Sequence, residues 1–399
     1  MRNSALSALE MKNFKCFREQ RIEFGMLTVL AGLNGMGKSS AVQAFLLLRQ
    51  SLAGIRGQRS LLLSGELVDL GTGSDILFDQ AKENEIVFAL EFGGTWRSEF
   101  AYSRSGEDVQ QPFELGNGSS RESVREFIKD GDGWNEFSPE APPDEISSSS
   151  RAIFSTSKFQ YLSAERLGPR KLLPWSDEQV WIKSLGVQGE HVLAYLSEYG
   201  GKTLDKDDPR VMESEESRTV KDQVSAWLQE TSPGAQLEIS ELRLVDALSA
   251  QYTYIRPGDV DSRPFRAANV GFGISYALPV LTALLGAEEG DMVIVENPEA
   301  HLHPRGQTRM GELAARAAMA GVQVIAETHS DHFLDGVRIE ARWKRLDRDA
   351  TRIHFFTREG TENIVISPKI MDDGKLSEWP KGFFDQKTQN LKGLLGPMD

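Results

Sequence analysis

Residues 32–39 read GLNGMGKS and fill the pattern GxxxxGK[ST] at every fixed position. An apolar run, MLTVLA, precedes them, and SSAVQAFLLLRQSL follows with apolar side chains at helical spacing. A buried strand, a glycine-rich turn and a helix in that order call for an α/β fold with the turn at the carboxyl end of a sheet strand. Gly32, Gly35 and Gly37 let backbone N–H groups turn inward around phosphate oxygens, and the helix N-terminus adds a field that favours negative charge. Lys38 is expected to reach the β- and γ-phosphates, and the Ser39 hydroxyl to ligate Mg2+; Asn34 and Ser40 complete the loop. ATP and Mg2+ are the ligands this implies.

Such a loop needs an acid at the end of a neighbouring buried strand to hold the cation. MVIVENPE, residues 292–299, supplies one: four apolar residues, then Glu296, Asn297, Pro298 and Glu299. Glu296 is therefore the expected second magnesium ligand, with Ser39. Of six histidines, His301, His303, His329 and His332 crowd into one stretch, so a second metal site has to be weighed there.

The 399 residues, 40% hydrophobic, can bury a sizeable core as one large or two modest domains. The apolar runs fall short of the roughly 20 residues a bilayer span needs, and the first residues carry no secretory pattern, so a cytoplasmic protein is expected. The single cysteine, Cys16, can form no internal disulfide and reads as a small buried side chain. A formal charge of −14 argues against broad adhesion to DNA or anionic membranes. One basic cluster remains: Arg342, Lys344, Arg345, Arg348 and Arg352. It reads either as a nucleic-acid contact or as a solvated face.

Along the chain, residues 6–31 read as two strands, and 85–102 as a hairpin about Gly93 and Gly94. The expected parts are as follows: 1–103, the first half of a nucleotide-binding head with a β lobe; 104–150, a mobile polar loop with a tetraserine at 147–150; and 151–265, a helical and β insertion. The second half of the head takes 266–340, and 341–399 holds two strands and a tail. Helices are expected at EHVLAYLSEYG and TVKDQVSAWLQET, and strands at LEISELRLV, AQYTYIRP, RIHFFT and NIVISPK. No heptad run is long enough for a coiled-coil arm. Trp379, Pro380, Phe383 and Phe384 in the tail either dock a partner or fold back on the core.

Four segments in order, GLNGMGKS, NVGFGIS (269–275), VIVENPEAHLHP and VIAETHSDHFLDG (324–336), resemble the ABC/SMC-type AAA ATPases. That group includes RecF-like repair proteins, OLD-family proteins and many phage-defence ATPases. LEMKNFKCFREQRIEF and YLSAERLGPR (161–170) resemble its compact defence-associated branch. The resemblance implies an ABC-type P-loop head with a mixed α/β sheet, an antiparallel β lobe and a helical insertion. It implies that Gly271, Gly273 and Ser275 form the signature turn that caps the γ-phosphate of a second subunit, so that ATP joins two copies. His329 takes the place of the switch histidine, and His301 and His303 belong to the dimer-contacting D-loop. Gln80, within DLGTGSDILFDQ, is the candidate Q-loop residue.

One departure bears on mechanism. Where the family commonly has a second acid as general base, this chain has Asn297, whose amide cannot take a proton. Either Glu299 serves as base, or Asn297 only orients water and hydrolysis is slow. The roughly 70 residues after His329 leave no room for the nuclease domain of OLD proteins, and Asp372 and Asp373 read as a solvated turn before Gly374. Two readings stay open. One is an ATPase that dimerises on ATP and controls a separately encoded effector, such as a nuclease or toxin, in anti-phage defence. The other is a RecF-like, DNA-binding ATPase of repair or chromosome maintenance.

Overall fold

The computed structural model describes residues 5–52, 60–104, 113–115, 124–131, 133–137, 158–256, 260–343 and 345–395. The first part contains β1 (Leu6–Phe14), β2 (Phe17–Glu23), β3 (Leu27–Gly32), α1 (Lys38–Leu52), α2 (Gly73–Ile76), β4 (Glu85–Phe92), β5 (Trp96–Ser103), β6 (Glu114–Leu115), β7 (Val124–Asp130) and β8 (Gly133–Phe137). The middle contains β9 (Phe159–Leu162), β10 (Leu173–Pro174), α3 (Asp177–Trp181), α4 (Val192–Tyr199), α5 (Val220–Thr231), β11 (Ala235–Leu242), β12 (Ala247–Arg256), β13 (Val260–Asp261) and β14 (Phe265–Arg266). The last part contains α6 (Phe272–Gly286), β15 (Met292–Glu296), α7 (Pro304–Met319), β16 (Gln323–Glu327), α8 (Asp331–Arg342), β17 (Thr351–Glu359), β18 (Glu362–Ile366) and α9 (Gln386–Leu395).

The central sheet runs β18-β17-β3-β16-β15-β9, parallel throughout except for the antiparallel edge strand β18. Its strands are apolar on both faces because both faces are covered. Leu27, Val29 and Ala31 of β3, Val293 and Val295 of β15, and Val324 and Ala326 of β16 point into one core with α4 to α8. Their alternates, Leu30, Met292, Ile294 and Ile325, point into a second core with α1 and the antiparallel lobe. That alternation is the two-residue period of a pleated strand. Parallel pairing also brings the carboxyl ends of β3, β16, β15 and β9 to one edge, where loops can meet a ligand.

The lobe is an antiparallel sheet of order β2-β1-β4-β5-β7-β8, with β6 beside β5. The expected hairpin forms as β4 and β5, with Gly93 and Gly94 both at positive φ between Phe92 and its register partner Trp96. Two expectations are corrected here. Residues 6–31 form three strands, not two: Asn13 and Lys15 take left-handed backbone angles and reverse the chain, so that Phe14 pairs with Phe17. NFKCF lacks the glycine or proline that marks most turns. The 104–150 segment is not simply a polar loop, since β7 and β8 extend the lobe and meet where Asp130 pairs with Gly133. The tetraserine lies outside the described residues.

A third sheet, built on β12 with β10, β11, β13 and β14, forms within the segment expected as an insertion; that segment also supplies β9 to the central sheet. Helices α4 and α5 stand where periodicity places them. α7 and α8 approach closely through glycines: a Cβ on Gly311 would lie 2.0 Å from the Phe333 carbonyl oxygen, and one on Gly336 2.1 Å from that of Thr308. The tail folds back. Phe383 is fully buried against Phe355, and Trp379 and Phe384 pack around it.

Candidate functional site

The glycine-rich turn leaves β3 with Gly32, Gly35 and Gly37 all at positive φ. Gly37 is required twice over: besides its φ of +103°, a Cβ there would come within 2.4 Å of Phe17 Cζ and 2.8 Å of Cys16 Sγ. The β1–β2 turn thus seats against the loop. Cys16, expected as buried filler, is half-buried, and its thiol donates to Ser40 Oγ at 3.7 Å. Lys38 is buried, and its ammonium donates to the carbonyls of Gly32 (3.0 Å) and Leu33 (2.9 Å), which holds it over the loop. Burial pushes its pKa down, and the carboxylate of Glu327 pulls it back up.

Glu327 was not anticipated. It ends β16 between the loop strand and β15, in register with Glu296, and its Oε1 accepts a 3.0 Å hydrogen bond from Ser39 Oγ. Glu296 stands one strand further out, its Oε1 accepting from the Tyr161 hydroxyl at 2.9 Å. The strand-end reasoning that selects Glu296 from MVIVE applies equally to QVIAE, so this residue was legible. Tyr161 and Arg166 carried no such signal.

The turn after Glu296 is held from both sides. Asn297 has a φ of 46°, in the left-handed region that asparagine tolerates better than most residues with a Cβ, and its N–H donates to the Glu327 carbonyl at 2.7 Å. Arg166, buried, donates from Nη1 to the carbonyls of Ser163 (3.0 Å) and Glu296 (2.6 Å), and from Nη2 to that of Asn297 (2.5 Å). Burial pushes its pKa down to about 10, so it keeps its charge. Glu299 is buried beyond the turn, and its Oε1 accepts from the His329 backbone N–H at 3.0 Å. The His329 ring is exposed; desolvation, then the charge of Lys38, lowers its pKa.

Gly271 caps the N-terminus of α6, exposed and with open space around it. Gly273 lies against the backbone of the following loop, where a Cβ would meet the His301 carbonyl oxygen at 2.8 Å. Ser275 is half-buried, beside Gly168 and Arg170. The remaining histidines are engaged elsewhere: His301 stacks edge-on to Tyr276 at 4.5 Å, His303 caps α7, and His332 lies 3.8 Å from Asp331. Gln80 is exposed in a turn after α2, with no hydrogen bond among the described residues tying it to the loop.

Three carboxylates, Glu296, Glu299 and Glu327, therefore gather at one sheet edge, all with raised pKa values because burial disfavours their charge. Glu327 is pushed up to about 7, by burial first and by Glu296 second. Among the described residues, Glu299 Oε2, Glu327 Oε2 and Asn297 Oδ1 are buried without a hydrogen-bond partner. Buried oxygens in that state suit a hard cation and its waters. Among the described residues, no group of three His, Cys, Asp or Glu side chains forms a ready cation cage by itself.

A pH dependence follows. A carboxyl that is still protonated in the fold near pH 7, but released below pH 5 when unfolded, makes acidification stabilising. Between pH 8 and 6.5 in chelator, the ligand-free chain should gain about 1 kcal/mol relative to Glu327→Gln. His329 and His354, whose pKa values are lowered by desolvation, act in the opposite direction from the acid end of that window downward, so the difference between parent and variant isolates Glu327. Denaturant titrations at the two pH values measure it, and a parental slope in the variant counts against the assignment.

A glycine-rich loop, acids on the adjoining parallel strand ends and an exposed glycine-capped helix make up an AAA-type head with the fold of SMC heads. The chain belongs to the family described as "AAA domain, putative AbiEii toxin, Type IV TA system", whose model matches residues 27–335. Residues 346–394 match a second model, described as a protein of unknown function. Among solved structures, an SMC head bound to the C-terminal winged-helix domain of ScpA superposes with a TM-score of 0.52 at 13% identity, covering 92% of this chain and 98% of that one. The SMC head of Thermotoga maritima gives 0.43 at 11% identity, over 90% and 98% of the two chains. An SMC head with an extended coiled coil, bound to a ScpA domain derived from Pyrococcus furiosus, gives 0.47 at 14% identity, over 98% and 99%. No curated protein matches the sequence. No helix among the described residues is long and apolar enough to cross a membrane.

Proposed function

We propose that this chain binds Mg·ATP on the glycine-rich loop, closes on a second copy around the nucleotide, hydrolyses it slowly, and through that cycle controls an effector protein in anti-phage defence. The observation that carries the reading is the meeting of Lys38, Ser39, Glu327 and Glu296 at the carboxyl edge of one parallel sheet. Lys38 neutralises the β- and γ-phosphates, while Ser39, with Glu327 and Glu296, holds the cation directly or through water. Bound magnesium would supply positive charge to the phosphate oxygens as the terminal bond breaks. Glu299, with one oxygen fixed by the His329 N–H and the other unpartnered among the described residues, accepts the proton of the attacking water. The Asn297 amide, on a turn held by Arg166, can orient that water but not deprotonate it.

Closure uses Gly271, Gly273 and Ser275 against the partner's γ-phosphate. In support, α6 is 15 residues long and its cap supplies no side-chain hydrogen bond, so the N–H groups of Phe272 and Gly273, ahead of the Ile274 N–H that donates to Gly271, are available to an anion. Leu33 on the loop and Phe272 beside Gly271 are 54% and 58% exposed, apolar surface that a second copy would cover. The effector reading draws on the toxin–antitoxin description of the family, and an SMC head with a bound ScpA domain is a precedent for a protein partner on this fold. The DNA reading has less free positive charge to draw on, because Arg345 lies 3.7 Å from Glu340, Arg348 pairs with Asp372 and Arg352 lies 3.5 Å from Glu23, while Arg342 is exposed. Lys344 lies outside the described residues.

Light scattering tests closure: Mg·ATP should double the mass, and Mg·ADP should leave it unchanged. A monomer at saturating Mg·ATP overturns the dimer. Co-purification with the product of the adjacent gene, with and without ATP, tests the effector.

A further inference from the structure

The YLSAERLGPR segment supplies Arg166, whose guanidinium donates to three backbone carbonyls beside the site. The guanidinium of Arg166 holds two successive carbonyls, those of Glu296 and Asn297, in the turn where Asn297 takes a left-handed backbone angle. Its face lies over the Tyr276 ring, 5.4 Å from the centroid, and Tyr276 belongs to the second turn of α6. Two residues along, a Cβ on Gly168 would sit 3.0 Å from Phe272 and 4.0 Å from Tyr276. His301, downstream of the same turn, packs on both Phe272 (5.8 Å) and Tyr276 (4.5 Å). One buried cation thus touches the strand end that carries the magnesium-side acid and the helix whose N-terminus is exposed.

We propose that Arg166 is a positioning residue that locks the Glu296–Asn297 turn to the start of α6, so that the site on a protomer's own nucleotide and the helix facing its partner's nucleotide shift as one body. The inference rests on the dimer reading above. Hydrogen bonds to two carbonyls need the forked guanidinium; lysine, a point charge with the same sign, cannot span both in one plane. The link to α6 uses the ring face of Tyr276 and not its hydroxyl.

The test is a double-mutant cycle on Arg166→Lys and Tyr276→Leu, with Tyr276→Phe as the conservative control. Calorimetry with Mg·ATP, steady-state turnover and melting are measured on the full chain. Arg166→Lys and Tyr276→Leu should each keep nucleotide affinity within about 3-fold while lowering turnover about 10-fold. Together they should do no more than either alone, and Tyr276→Phe should turn over like the parent. Tyr276 is half-buried, so its variants test the link even if Arg166→Lys fails to fold. Parental turnover in Tyr276→Leu, or a multiplicative loss in the double variant, overturns the coupling while leaving the ATPase reading intact. A parent chain that shows no heat with Mg·ATP removes both.

Discussion

Lys38→Met loses about 100-fold or more of its affinity for Mg·ATP in calorimetry, with the fold intact. The expectation follows from where the ammonium sits. It is buried in the loop it serves, anchored on two loop carbonyls, with the acid of Glu327 close enough to sustain its charge. A charge-assisted contact to phosphate in so desolvated a place is worth several times a surface ion pair, and losing it costs roughly 3 kcal/mol, or about two orders of magnitude in affinity. Methionine keeps the apolar stem that fills the space, so a loss of binding is not a loss of packing. Undiminished affinity in this variant would mean that the phosphates bind elsewhere.

Glu299→Gln should bind Mg·ATP as the parent does and turn it over about 100-fold more slowly, the low end of what a positioned base contributes. The amide oxygen can still accept from the His329 N–H, so the turn keeps its shape, but no group there takes the proton from water. The ATP-bound dimer should then persist long enough to isolate by size exclusion. Parental turnover would return the chemistry to water oriented by Asn297 alone, with no protein base at this position. Measuring both variants on one preparation separates the binding contribution from the chemical one, because Lys38 acts on affinity and Glu299 on rate.

Much of this architecture could be read before any coordinates. The 3.6-residue spacing of α4 and α5, the two-residue alternation of β4 and β5, and the continuous apolar runs of β3, β15 and β16 are local patterns that each element needs for its own burial. The glycines of the loop were legible from its pattern, and Gly37 shows the reason, since only a residue without a Cβ accepts its angle beside Phe17. Where reading failed, the cause was also physical. The β1–β2 turn uses left-handed asparagine and lysine in place of glycine, and β7 and β8 are too polar to register as core.

By itself the sequence determined that a strand, a glycine-rich loop and a helix occur in succession, and that a second buried strand ends in an acid followed by the amide of Asn297. These follow from covalent neighbours and their preferences. Which acid faces Ser39 was decided only by the order of strands in the sheet, which sets β16 between β3 and β15 and so puts Glu327 beside the hydroxyl. That Arg166 grips a turn 130 residues away is likewise a product of the β9–β15 pairing. Parallel register joins strands that are far apart in the chain, and no periodicity along a strand records which neighbour it will have.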